Sequence, residues 1–422
     1  MATKLALNQS GMSAETISKL SKLHEKLESS NDNIKRLKVP LPDLSAAIDP
    51  NHPEIEKVLK NMKIFEVTRG GLSEATQRNL FSTLRSWCSY TTDIGLRYAF
   101  PINTQIFFYW FVHLQLEEHK SYATIVTRKN LFSIFFKLMD MPDATKERMI
   151  VERFKGLKRD MAKADLNKVT QRVAVPFRAQ HLNALLPLMR DLEQTGLKNL
   201  RDLCVLIIAY CTGIREGEIG TILRKNISFS NGSITIKRVV SKTSSAPVEK
   251  SITNEYAEIL NNYLAIVDNA IVLFNKAIDK EESNIEKMEE GVLKEMAKKK
   301  VPVRLTETNT YIFSWIYQNS MFKNGTTPMP GETIDRVFER AYKLLYTHDK
   351  NAIKHPDYGR IWTGHSGRVG ACIDGKVIHN MSEADLMSIG DWTNMSTVMR
   401  YLRATGHLEA SNIKLQGSLK SS

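Results

Sequence analysis

Apolar residues recur at helical spacing through most of this chain, and only a few stretches break the pattern. Leu80, Leu84, Trp87 and Cys88 share one face of a segment that opens with SEAT, where Ser73 can cap the first turn, so an amphipathic helix is predicted. IFFYWFVHLQLEEH and YATIVTRKNLFSIFFKLM predict two further helices and ERMIVERFKGLKRDMAKAD a fourth, which makes residues 63–165 an all-helical module. Residues 1–62 are polar, and Pro40, Pro42 and Pro53 interrupt weak helical patterns there; they read as an appended, partly disordered arm. On the other side, Pro176 and the β-branched Val169, Thr170, Val173 and Val175 disfavour helix, so residues 166–178 read as an extended linker.

The helical period resumes over RAQHLNALLPLMRDLEQTG and NLRDLCVLIIAYCTG. The second is apolar enough for the centre of a core, with Gly213 marking its end. SITIKRVV and SKTSSAPVEKSIT predict two short strands joined at Lys242. Residues 179–410 are thus expected to form a mostly helical domain with a small antiparallel sheet, and the fold class is mainly α. Within it, residues 268–304 are highly charged, with Ile285, Met288, Val292 and Met296 as a narrow stripe. A protruding helical hairpin and a solvated helix that caps the domain both fit. Residues 411–422 form a polar tail with Ile413 and Leu415 as its apolar positions, and no internal repeat is visible.

Charge narrows the partners. Fifty-nine Lys and Arg against 46 Asp and Glu give a formal charge of +13 over 422 residues, which favours a polyanion. Nucleic acid is the first expectation. A membrane surface would call for a basic amphipathic helix with large apolar residues, and none is clear outside the arm and the charged segment. No apolar run approaches the roughly 20 residues of a membrane span. MATKLALNQSGMSAET lacks the apolar core of a signal peptide, so a cytoplasmic, DNA-associated protein is expected. Cys88, Cys204, Cys211 and Cys372 have neither zinc-site spacing nor the density of a disulfide scaffold, and read as buried free thiols. No metal or other cofactor is expected.

Four scattered segments carry chemistry: Arg215 in CTGIREGEIG, Lys242 in VSKTSS, His365 and Arg368 in TGHSGRVG, and Trp392 and Tyr401 in GDWTNMSTVMRYLRA. Singly, each has an ordinary reading as a capping cation, a turn lysine or a packing aromatic. His365 and Arg368, three apart, would share a helix face and could address one anion. Taken together they comprise phosphate-binding cations, a general acid and a phenol, which is what metal-free cutting and rejoining of a DNA strand requires.

In their order and context these segments resemble the tyrosine recombinase (phage integrase) family. YGRIWTGHSGRVGA through MSIGDWTNMSTVMRYLRATG is the strongest part, IREGEIGTI and SKTSSAPVEK extend it upstream, and SEATQRNLFSTLRSWCSY resembles the opening helix of the family's amino-terminal clamp. The resemblance spans residues 70–410. It implies that Tyr401 is the nucleophile, attacking a phosphate to leave a 3′-phosphotyrosyl link and a free 5′-hydroxyl. A phenol titrates near pH 10, so such an attack needs a cationic pocket or a base. Arg215 and Arg368 fit as bidentate clamps on the non-bridging oxygens. Lys242 is implied as general acid for the leaving 5′-oxygen. His365 and Trp392 are implied as hydrogen-bond donors to the phosphate and Glu218 as a group orienting a cation or the histidine; whether His365 acts as base for the tyrosine proton or only as donor is left open by the sequence.

The resemblance further implies exchange of strands between two short inverted-repeat sites in double-stranded DNA, by a homotetramer acting through a four-way junction. A type IB topoisomerase-like activity, telomere resolution and, in another class, a non-catalytic architectural DNA-binding protein are the alternatives; binding alone would need neither phenol nor general acid. By resemblance the base readers lie early in the helices that open near Ser73 and Tyr122: Gln77, Arg78 and Asn79, then Tyr122, Thr124, Thr127 and Arg128. Lys155, Lys158, Arg159, Lys163, Lys168 and Arg172 suit phosphates better than bases. Where related chains carry a guanine-reading arginine, Glu332 stands in GETIDRVFER; it can accept from cytosine, or Arg336 serves instead.

Overall fold

The computed structural model describes residues 44–53, 55–68, 71–169, 173–238, 248–315, 322, 324–348, 360–404 and 406. The chain divides into two compact units, with the division between Gln171 and Arg172, inside the expected linker.

The first unit is all helical: α1 (Ile55–Thr68), α2 (Glu74–Asp93), α3 (Thr104–Leu116), α4 (Tyr122–Leu138) and α5 (Arg148–Ala164). Ser73 caps α2 as predicted, accepting from the Thr76 amide at 3.2 Å. Its core is aromatic. Trp87, Trp110, Phe107 and Phe132 pack mostly edge to face, with Trp87 and Phe107 centroids 5.4 Å apart, and the Trp87 indole donates to the Ala99 carbonyl at 3.0 Å.

The expected arm is shorter than its composition suggested. Leu44, Ile48, Val58 and Phe65 are buried in this core, Ile48 bridges in parallel to Phe100, and Phe65 packs on Phe81 and Phe135. Residues 44–62 therefore belong to the helical unit. Their few apolar positions are widely spaced and meet partners far away in sequence, which composition alone cannot register. Residues 1–43 lie outside the described part.

The second unit is built around α8 (Leu197–Thr212), preceded by α6 (Ala179–Met189) and the short α7 (Leu192–Thr195). From Leu203 to Ala209 every side chain of α8 is buried. A helix apolar on all sides must be enclosed. Around it stand α10 (Asn254–Glu286), α12 (Gly331–His348) and α13 (Ser366–Val377). The short α9 (Glu216–Ile219), α11 (Val292–Lys298), α14 (Glu383–Ile389) and α15 (Met395–Ala404) complete the helices among the described residues.

The sheet has three antiparallel strands, β1 (Ile227–Ser230), β2 (Ser233–Arg238) and β3 (Val248–Ile252), in that order. The β2–β3 pair was expected; β1 was not. Its signal was the Asn231-Gly232 pair, both at positive φ, which closes a two-residue hairpin with Ser230 opposite Ser233. The fold is mainly α with a small antiparallel sheet, as the sequence implied.

The charged segment begins inside α10, which runs unbroken from Asn254 to Glu286. The first half of α10 is long and apolar because Ala257, Leu260, Tyr263, Leu264 and Val267 face the core. Its later part continues into a turn and α11. The expected apolar stripe is only partly used: Ile285 is buried, whereas Met288, Val292 and Met296 are exposed. Cys204 and Cys372 are buried and all four thiols are free; burial pushes Cys88 up to about 11 and Cys372 up to about 12, so they are poor nucleophiles.

Candidate active site

Separate elements of the second unit deliver Arg215, Glu218, His365, Arg368, Trp392 and Tyr401 to one place. Gly213 ends α8 in the left-handed region at φ 59, where a Cβ would also meet the Ile389 carbonyl at 2.7 Å. The turn that follows places Arg215 at the start of α9. Glu218 folds back on it, accepting from the Arg215 amide at 3.3 Å and from its guanidinium at 3.2 Å. Glu218 is thus in contact with the cation beside it.

The segment TGHS forms a tight turn into α13. The Gly364 amide donates to Asp335 on α12 at 2.7 Å, and the Thr363 amide to the Ser366 hydroxyl at 2.9 Å. His365 stands at the head of α13 and Arg368 one turn on. Arg368 is 2% exposed and donates to the Gly213 carbonyl at 2.6 Å, so the two arginine-bearing elements are joined by main chain. Its guanidinium lies 4.6 Å from the Trp392 ring centroid.

Tyr401 lies on α15, whose buried face is Val398, Tyr401 and Leu402. The i, i+3, i+4 spacing packs this face on Val369, Cys372 and Ile373 of α13. There the Tyr401 hydroxyl lies 2.8 Å from His365 Nε2, and its ring meets Trp392 edge to face at 5.7 Å. A neutral imidazole with its proton on Nδ1 can accept the phenolic proton in this geometry.

The electrostatics favour an anion. Burial, and then the like charge of Arg215, pull the Arg368 guanidinium below its ordinary value, opposed by Tyr401 and Glu218. Two mutually repelling cations in a half-dry site are relieved by a phosphate between them. Trp392 Nε1 is buried and, among the described residues, has no hydrogen-bond partner. An orphaned donor of this kind costs about 1–3 kcal/mol until an acceptor arrives.

Two residues not anticipated from sequence belong to this neighbourhood. Glu216 approaches His365 Nδ1 to 3.8 Å, beyond hydrogen-bond length but within ion-pair range. The imidazole, acting against the carboxylate's partial burial, holds the Glu216 carboxyl below its usual range. Gly364 permits the approach, since a Cβ there would fall 2.6 Å from that of Glu216. Lys250 on β3 reaches the turn before Trp392. Neither has a sequence signal beyond adjacency to Arg215 or to a strand. Lys242 lies in residues 239–247, outside the described part.

The expected DNA-reading residues divide. Arg78, Asn79 and Thr127 are exposed and Tyr122 and Thr124 half-buried. Gln77 is not available at the surface: it is fully buried and its amide donates to the Leu72 carbonyl at 2.9 Å. Its i+3 and i+4 neighbours Leu80 and Phe81 face the core, and Gln77 shares their side of α2. Arg128 is largely enclosed, donating to Ser86 at 2.9 Å with Glu118 3.8 Å away. Lys155, Lys158, Arg159 and Lys163 are exposed along one face of α5, whose opposite face buries Ile150, Leu157 and Met161. Lys168 is half-buried, and Arg172 lies outside the described residues. Glu332 and Arg336, four apart, are exposed on the first turns of α12.

Residues 177–407 match the model of the phage integrase family. The chain belongs to that family, that of the tyrosine site-specific recombinases. Among curated proteins it is 23% identical to the recombinase Cre of Escherichia phage P1 over 355 residues, covering 82% of this chain and 89% of Cre. Solved structures similar to it include the Tn1549 transposon integrase in complex with a circular intermediate DNA, with a TM-score of 0.48, 13% identity and coverage of 86% of this chain and 99% of that one. A lambda integrase dimer bound to a COC′ core site has a TM-score of 0.44 at 14% identity, with 84% and 79% covered.

Proposed function

We propose that this protein is a site-specific DNA recombinase that cuts and rejoins strands through a covalent tyrosine intermediate. The observation that carries the reading is the Tyr401 hydroxyl 2.8 Å from His365 Nε2, beside a buried Arg368 and an indole N–H without an acceptor among the described residues. In the proposed step the Tyr401 oxygen attacks the phosphorus and its proton passes to His365 Nε2. The bond from phosphorus to the 5′-oxygen breaks, and that oxygen takes a proton from Lys242. Arg215 and Arg368 neutralise the charge that grows on the non-bridging oxygens, and Trp392 donates to one of them.

The 3′-phosphotyrosyl ester retains the energy of the broken phosphodiester, so religation needs no ATP. Attack by a 5′-hydroxyl from a second duplex exchanges strands and yields a four-way junction. The similarity to the recombinase Cre supports exchange as the outcome here; a homotetramer on inverted-repeat double-stranded DNA is the working assembly proposed for it. The basic face of α5 suits the phosphate backbone, and Arg78, Asn79, Thr127, Glu332 and Arg336 are accessible for base contacts. The protein would act wherever its DNA target resides in the cytoplasm.

Two differently labelled duplexes, drawn from a library of inverted-repeat sites, test this. Recombinant molecules carrying both labels are expected. Relaxation of supercoiled DNA without any exchange would point to a topoisomerase-like outcome instead.

A further inference from the structure

β3 contributes one side chain to the neighbourhood of Trp392, and it is committed on all sides. The Lys250 ammonium donates to the Ser388 carbonyl at 2.6 Å, the Ile389 carbonyl at 3.1 Å and the Asp391 carboxylate at 2.9 Å, and is 12% exposed. That uses the three donors a lysine has. Ser388 and Ile389 are the last residues of α14, where a cation complements the negative end of the helix. Asp391 has φ 50, a left-handed conformation that a residue other than glycine adopts only at a cost and keeps only when its surroundings enforce it.

The next residue is Trp392, whose ring packs against the Arg368 guanidinium and meets Tyr401 edge to face. The Ile389 carbonyl held by Lys250 also abuts Gly213, whose own carbonyl accepts from Arg368. One ammonium therefore fixes the turn that leads to the indole, and the Ile389 carbonyl it holds borders the turn whose Gly213 carbonyl accepts from Arg368. An exposed ion pair would contribute little. Here the acceptors are mainly main chain and the site is nearly closed to solvent.

We infer that Lys250 is a positioning residue for strand cleavage: by holding the Ser388–Asp391 turn it sets the Trp392 indole against the phosphate. The inference rests on the proposed function, since it concerns the rate of the same reaction.

The test is single-turnover formation of the covalent adduct at saturating protein, on nicked suicide duplexes selected by the wild-type chain. Lys250→Met should slow adduct formation by about a hundredfold, the scale of a misplacement of about 1 Å, while the DNA dissociation constant changes less than about threefold. The double substitution Lys250→Met/Trp392→Phe should be no more than about threefold slower than Trp392→Phe alone, because Lys250 acts through the indole. If Lys250→Met does not fold, as thermal melting will show, Lys250→Arg takes its place. A guanidinium keeps the charge but not the tripod of donors, so its slower rate should show the same non-additivity. Wild-type rates in the variant, or effects that multiply in the double substitution, overturn the inference while leaving the proposed function intact. A wild-type chain that forms no adduct overturns both.

Discussion

Trp392→Phe should separate stability from activity. In the free protein the indole N–H is buried without an acceptor among the described residues, a condition that costs about 1–3 kcal/mol, and phenylalanine removes it. Against that gain stand the smaller ring's losses. The edge-to-face contact with Tyr401 and the cation contact with Arg368 are worth about 0.5–1.5 and 0.5–2 kcal/mol, and both weaken without vanishing. These effects nearly cancel, so stability should change by no more than about 1 kcal/mol, an unusual result for a tryptophan only 7% exposed. Cleavage should respond differently. Loss of one preorganised donor to the transition state costs about 2.7–4 kcal/mol, or roughly a hundred- to a thousandfold in rate. Urea unfolding gives the first quantity and single-turnover cleavage the second. Cleavage within a few-fold of wild type would show that the indole serves packing alone, and a stability loss above about 3 kcal/mol would show that its N–H is satisfied in the free protein.

Further substitutions probe the other groups. Glu216 has a carboxyl depressed below its ordinary 4.5, so its contribution to stability is present above that value and lost as the pH falls through the lower folded-state value. The stability difference between wild type and Glu216→Gln, followed by urea melts from pH 6 down to pH 3, should therefore shrink only below about pH 4.5; a difference constant over that range contradicts the ion pair. Lys242→Ala should cleave ordinary DNA very slowly and be largely restored by a 5′-bridging phosphorothiolate, whose thiolate leaves without a proton; no restoration would assign the lysine to positioning. Arg368→Lys keeps the charge but loses the fork that spans the Gly213 carbonyl and the phosphate, and should lose at least about a hundredfold in cleavage with little change in DNA affinity. Wild-type cleavage by that variant would mean that charge alone suffices.

What could be read from sequence follows from the range of each interaction. The Ser73 cap, the Gly213 terminus and the enclosed α8 are local or periodic features, and they appear as predicted. The order of Arg215, His365, Arg368, Trp392 and Tyr401 was legible because each sits in a motif, although their convergence depends on the packing of α13 and α15 around α8. Gln77 looked like a surface reader because its type suits base contacts, but its side of α2 is the core side. Residues 44–62 looked like an arm because their apolar positions find partners such as Phe100 far along the chain. Glu216 and Lys250 were invisible for the same reason, since their partners lie more than a hundred residues away and no motif links them.

The central claim is that Tyr401 forms the covalent bond to DNA. Trapping the wild-type chain on a suicide duplex, digesting the adduct and sequencing the modified peptide by mass spectrometry tests it directly. A nucleotide-bearing peptide that contains Tyr401 is expected, attached through a 3′-phosphate and absent from Tyr401→Phe, which should still bind the duplex. A DNA-linked peptide from any other part of the chain, or an adduct that persists in Tyr401→Phe, would contradict it.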